Sequence, residues 1–127
     1  DQIDGNTYHI KTAGELAYVA NMVNTTVGFA TNKVFVLDND IDLFGHYFDP
    51  IGKTLSNTFS GEFDGNNMNI SYVTIIQNSN SLGLFGYAST NSIIKNFLFA
   101  SLLLNKKQWS KLFFTPSAAM WQASDLF

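Results

Sequence analysis

Two stretches, "FSGEFDGNNMNISYVTII" and "GLFGYASTNSIIKNFLF", follow one plan. Each places apolar residues beside glycine, crosses a gap rich in asparagine or serine, and ends in a short apolar run. Ile70, Val73 and Ile75 precede Ile94, Phe97 and Phe99 by 24 residues, and Phe63 precedes Phe85 by 22. A turn, a strand, a turn and a strand thus recur every 22 to 24 residues. Recurrence in this range marks chains whose successive passes stack on one another. In a parallel β-helix the inward residues of each pass form apolar columns, and glycine or asparagine fits corners that need positive φ. A meandering sandwich would space its turns similarly. The stacked arrangement is the one expected here: a mainly β, right-handed parallel β-helix fragment.

Upstream, "TAGELAYVANMVN" predicts the one clear helix, at about 13–24. Thr12 and Glu15 have the spacing of a capping box. Leu16, Val19, Ala20 and Val23 then share a face. So short an amphipathic helix needs apolar surface to cover. Beyond it, "KVFVLDNDIDL" alternates as a strand does, with Val34, Val36, Ile41 and Leu43 in step. "FDPIG" reads as a turn around Pro50, and Asp64-Gly65-Asn66-Asn67 as another between two short strands. Ile93 to Phe99 reads as the strand of the last pass.

Composition narrows the function. Charged residues make up only 13% of the 127, which suits a polar, weakly charged extracellular surface. The formal charge is −3 and only Lys106-Lys107 are adjacent lysines, so no basic patch argues for nucleic acid. The absence of cysteine excludes disulfides, thiolate metal sites and a cysteine nucleophile. The longest apolar run, Phe97 to Leu104, is broken by Ser101 and too short to span a bilayer, so membrane insertion is not expected. "DQIDGNTYHI" has neither a basic start nor an apolar core and does not read as a signal peptide. The expectation is a mature or excised piece of a larger protein.

"GLFGY" at Gly83 to Tyr87, preceded by "FSGEFDGNNMNI" at Phe59 to Ile70, resembles the GLUG-repeat proteins of bacterial surfaces. "TAGELAYVANMVN", "FVLDNDIDL" and "FDPIG" are similar to the segment that commonly precedes the first such repeat. The resemblance covers about Tyr8 to Phe99. It implies a right-handed parallel β-helix in large secreted or wall-attached proteins, some adhesin-like, others with the repeats beside an immunoglobulin A peptidase domain. It implies no chemistry for the repeats themselves. What carries over is structural. Gly61, Gly65, Gly83 and Gly86 would be corners, with Asp64 in the Asp-Gly turn. Phe59, Phe63, Leu84 and Phe85 would plug the core. The helix would cap the open end of the first coil, where unpaired strand edges would otherwise invite aggregation.

On this reading residues 1–99 are the β-helix segment and 100–127 an atypical tail. No glycine follows Gly86. Thr115-Pro116 followed by "SAAMWQASDLF" has the start of a short C-terminal helix, with Thr115 as cap and Pro116 at its first position. A C-terminal cap is one account of the tail. The other is a shift of reading frame, because codons for "MWQAS" read two bases later can spell the valine-glycine texture of a further repeat.

Candidate chemistry is weighed against plainer roles. Asp38, Asp40 and Asp42 suggest calcium, since hard cations take clustered oxygens. As an EF-hand loop from Asp38, however, the sixth position is Leu43 instead of glycine and the twelfth is Asp49 instead of glutamate. A solvated strand edge is the preferred account. Asp49 and Asp64 could form a glycosidase-like pair, but both sit in turn sequences where the carboxylate binds nearby amides. His9 and His46 lack partners at metal spacing. "GLFGY" has no serine for a nucleophile elbow, and its glycines form no phosphate loop. Tyr18, Tyr47, Tyr72, Tyr87 and Trp109 could make a sugar-binding strip, or simply end the core with hydroxyls outward. The expected function is a non-catalytic scaffold of a bacterial cell-surface or secreted protein, for adhesion or display. The partner would be a host or cell-surface glycan or protein, and no cofactor is implied. The rival is an accessory segment of a secreted peptidase or polysaccharide-active enzyme.

Overall fold

The computed structural model describes residues 5–44, 48–71 and 84–97. Within them the order is β1 (Thr7–Ile10), α1 (Ala13–Thr25), β2 (Val34–Leu37), β3 (Ile41–Asp42), β4 (Glu62–Asp64), β5 (Ile70–Ser71) and β6 (Ile93–Lys95). The described residues form mostly short strands in parallel sheets, with one short helix. One sheet has the order β1-β2-β4-β6 and the other pairs β3 with β5. Every pair of named strands is parallel.

Register shows how the passes stack. Tyr8 faces Phe35, Phe35 faces Phe63, and Phe63 faces Ile94. In the second sheet Ile41 faces Ile70. Parallel bridges join Ile51 to Phe85 and Phe59 to Ala88 between the sheets. The chain therefore visits the first sheet, then the second, then the bridging segment, and returns beside its own previous pass. Side-chain hydrogen bonds between passes most often join residues 29 apart.

This corrects the counted repeat. Ile70 and Ile94 do not occupy equivalent positions: Ile70 pairs with Ile41 in one sheet, Ile94 with Phe63 in the other. Phe63 and Phe85 likewise belong to different segments of the circuit, Phe85 bridging to Ile51. The spacing of 22 to 24 residues compared similar textures on neighbouring sides of the structure, whereas the true circuit is longer. Val73, Ile75 and Phe99 lie outside the described residues, as do Gly83 and the tail.

The turn after β4 is a corner between sheets, not a hairpin. Asp64 Oδ1 accepts the Asn66 N–H at 2.8 Å and Met68 N–H donates to Gly65 O at 2.8 Å. Asn66 and Asn67 take positive φ, 51° and 58°. Asparagine tolerates this region better than most residues. Gly61 and Gly65 do not have positive φ, so they are not corners of the expected kind. They are sites of close approach. A β-carbon on Gly61 would lie 2.8 Å from Lys33 O, and one on Gly65 2.6 Å from Asn96 O. Each glycine admits the backbone of an adjacent segment where any side chain would clash.

Alternation in β2 turns Phe35 and Leu37 inward and leaves Val34 and Val36 half-buried. "KVFVLDNDIDL" is broken into β2 and β3, which lie in different sheets. Phe35, Phe59, Phe63 and Phe85 are fully buried at the centre. Tyr8 stacks on Phe35 at 5.4 Å between centroids, and Phe63 on Phe97 at 5.5 Å. Phe59 and Phe85 meet edge to face at 5.4 Å. Such pairs add about 0.5–1.5 kcal/mol each beyond their burial. The rings therefore fix the register as well as filling the interior.

The helix begins as its cap dictates. Thr12 is extended, with φ −134° and ψ 159°, and its Oγ1 accepts the Glu15 N–H at 3.1 Å. The helix runs through Thr25, one residue past the expected end, where Thr25 Oγ1 donates to Asn21 O at 2.7 Å. Leu16, Val19, Ala20 and Val23 join the same buried cluster as Ile10, Phe35 and Leu37. The helix C-terminal end is tied to the 50–57 segment. Asn24 Nδ2 donates to Pro50 O at 2.9 Å, and Asn24 Oδ1 accepts the Lys53 N–H at 2.6 Å.

Candidate functional site

The polar residues singled out in the sequence are held apart. Asp38 Oδ1 lies 2.7 Å from His9 Nδ1, across the β1–β2 pairing. Asp40 Oδ1 accepts the Asn69 N–H at 2.8 Å, on the next pass. Asp42 Oδ1 accepts the Phe44 N–H at 2.9 Å. Three carboxylates thus serve three separate partners. Among the described residues no group of three or more His, Cys, Asp or Glu comes together that could hold a metal.

Asp49 and Asp64 each engage partners of their own. Asp49 lies 3.5 Å from Lys53 Nζ on an exposed turn. Asp64 Oδ1 accepts from the Asn66 N–H and, at 3.0 Å, from Asn96 Nδ2. These bonds lock the corner and bind it to the next pass. Leu84 and Phe85 are buried, and the Gly86 N–H donates to Ile51 O at 2.8 Å. His46, Tyr47, Tyr72 and Trp109 lie outside the described residues.

One concavity stands out beside these scaffold contacts. It has a volume of about 540 Å³ and opens between β1, the first turns of α1 and Phe29. Tyr8, Tyr18, Phe29 and Phe35 supply aromatic walls, and His9, Thr12 and Glu15 supply polar groups. Its position follows from the fold. β1 ends at Ile10, Thr12 turns the chain, and α1 begins at once, so strand and helix diverge from a common corner. Phe29 enters from the loop after the helix, its ring 6.2 Å from that of Phe35.

Glu15 is fixed at the rim. Its Oε1 accepts the Lys11 N–H at 2.9 Å and lies 3.4 Å from the Thr12 hydroxyl. The Lys11 N–H is the main reason its carboxyl titrates below the ordinary value, opposed by slight burial and helped by Thr12. Glu15 thus stays ionised through neutral and mildly acid pH. On the far side, Lys33 Nζ lies 5.0 Å over the Phe29 ring and donates to Phe29 O. Tyr18 is 61% exposed and presents its ring to solvent.

In the sequence Glu15 reads as a cap and Tyr18 as one member of an aromatic strip, and no local signal joins them to His9, Phe29 or Phe35. Glu15 and Tyr18 are three apart on a helix, which is a readable signal. Tyr87, the other described tyrosine of that strip, does not line the cavity. Comparison of the chain with protein-family models, curated proteins and solved structures finds no match.

Proposed function

We propose that this chain is a non-catalytic scaffold segment, a right-handed parallel β-helix of the GLUG-repeat kind, in a bacterial cell-surface or secreted protein that adheres or displays. The observation that carries this reading is the run of parallel registers in which Tyr8, Phe35, Phe63 and Ile94 occupy one column across four strands. A column of this kind buries a continuous core only when passes are stacked. It suits a protein whose task is to extend a surface at fixed spacing.

The polar groups point the same way. Asp40, Asp64, Asn24, Asn39 and Asn66 bind backbone groups of another pass or their own corner. Side chains used in this way hold the coils together and are not poised for proton transfer. Among the described residues no helix is long and apolar enough to cross a membrane. In this reading α1 covers the first coil, because its buried face belongs to the same core.

The test is binding against turnover. The labelled full chain is applied to epithelial cells and bacterial cells, and separately incubated with immunoglobulin A and soluble polysaccharides. Saturable binding with every substrate intact supports the adhesive scaffold. Cleavage of either substrate class overturns it in favour of the enzymatic rival.

A further inference from the structure

We propose that the cavity between β1, the first turns of α1 and Phe29 binds an uncharged sugar unit, stacked on its aromatic walls and hydrogen-bonded at its polar rim. The assignment names a ligand class for the adhesive reading, and rests on that reading only for where such a sugar would be met.

Size and lining come first. At about 540 Å³ the cavity falls in the range of small-ligand sites and admits more than one sugar ring. A pyranose carries a C–H-rich face beside a girdle of hydroxyls. It therefore needs a flat apolar surface and several hydrogen-bonding groups within one site. Tyr8, Tyr18 and Phe29 provide rings, with the buried Phe35 behind them. The phenols of Tyr8 and Tyr18, the Thr12 hydroxyl, the His9 ring and the Glu15 carboxylate provide polar groups around them. A purely apolar occupant would strip water from this rim and return no hydrogen bonds, which is costly.

Charge then decides among polar ligands. A cation would meet aromatic faces and Glu15, but Lys33 Nζ already lies over Phe29 and opposes a second positive charge on that wall. An anion would face Glu15 at the rim and Asp38 immediately behind His9. The neutral polyhydroxylated ligand meets neither objection. Glu15 is also pre-set for the task. Its bonds to Lys11 N–H and the Thr12 hydroxyl hold the carboxylate in place before any ligand arrives, and a preorganised acceptor loses less freedom on binding.

Tyr18 separates this role from a structural one. The helix buries Leu16, Val19, Ala20 and Val23, and Tyr18 lies off that face. Its ring can be removed without opening the core.

The test is saturation-transfer NMR on the full chain with cellobiose, lactose and N,N′-diacetylchitobiose, with choline and sialyllactose as charged controls. Transfer to the ring C–H protons of at least one neutral disaccharide is expected. Tyr18→Ala should weaken that binding about tenfold or more, while Tyr18→Phe keeps most of it. Glu15→Gln should also weaken it. Circular dichroism confirms that each variant is folded. The proposal is overturned if the folded chain ignores all three neutral sugars, if Tyr18→Ala binds as the parent does, or if choline or sialyllactose binds better. Silence toward the sugars leaves the scaffold reading standing, whereas cleavage of substrate would overturn the scaffold instead.

Discussion

The ring of Phe63 lies against that of Phe35, one pass earlier, with centroids 6.3 Å apart and planes 24° from parallel. The same ring contacts Phe59, Phe85 and Phe97. Phe63 thus ties several segments together through one side chain. Phe63→Ala should therefore remove a shared wall as well as its own burial. The expected loss is about 3–5 kcal/mol, the range for truncating a buried phenylalanine. Phe63→Leu keeps most of the volume and should cost about 1–2 kcal/mol. Urea denaturation followed by circular dichroism checks both. Equal stability of the alanine variant and the parent would show that the column does not hold the passes together.

A second expectation contrasts two glycines. On Gly65 a β-carbon would lie 2.6 Å from Asn96 O and 3.1 Å from Phe97 Cα, both backbone atoms that cannot swing aside. Gly65→Ala should force β4 from its neighbour and cost about 1–3 kcal/mol. Gly14 sits in the first turn of α1, with only Thr12 Oγ1 within reach at 3.9 Å. Gly14→Ala should instead stabilise, by about 0.5–1 kcal/mol. Midpoints of thermal unfolding that move in opposite directions would bear this out. A tolerated Gly65→Ala would mean that the close approach is not required.

These contrasts show what the sequence makes legible. The helix could be read because its signals are local: Thr12, Glu15 and an apolar face within one short segment. The inward phenylalanines Phe59, Phe63 and Phe85 were readable because each is followed within two residues by a glycine, the mark of a turn. The circuit length was not. Ile70 and Ile94 look alike, since both follow an asparagine- or serine-rich turn, yet they pair in different sheets. Counting from one like texture to the next joins residues of different sheets, and only the strand register gives the true spacing. The glycines were visible, but the reason for Gly61 and Gly65 was not, because close approach depends on Lys33 and Asn96, far off in sequence. The cavity was half-visible for the same reason: Glu15 and Tyr18 lie on one helix, while Phe29 and Phe35 reach it only through the fold.

Asparagine corners yield a graded prediction. Asn66 combines a φ of 51° with an amide that donates to Leu37 O at 3.0 Å on the previous pass. Asn66→Gly retains the backbone freedom and loses the bond, so it should cost about 1 kcal/mol. Asn66→Ala loses the bond and also strains the backbone, adding about 1–2 kcal/mol more. The order parent, glycine variant, alanine variant should appear in urea midpoints. An alanine variant as stable as the glycine one would remove positive φ from the account of this corner.

The last prediction concerns acid. The Lys11 N–H, with smaller help from Thr12, lowers the Glu15 carboxyl below its ordinary value of 4.5. A carboxyl depressed by folding contributes stability that is fully present above its unfolded value and is lost as pH falls through its folded value. Because Glu15 lies at the surface, only partly buried, solvent screens the effect and the contribution is small. Glu15→Gln should therefore be slightly less stable than the parent at neutral pH, and the gap should close as pH drops below the ordinary carboxylate range. Carbon-detected NMR titration of the Glu15 carboxyl, beside urea midpoints of both proteins across that range, measures the two sides of the linkage. A gap that persists unchanged into acid would mean that the glutamine fails to form the Lys11 and Thr12 contacts for reasons of shape, and that the charge of Glu15 contributes nothing to the cap.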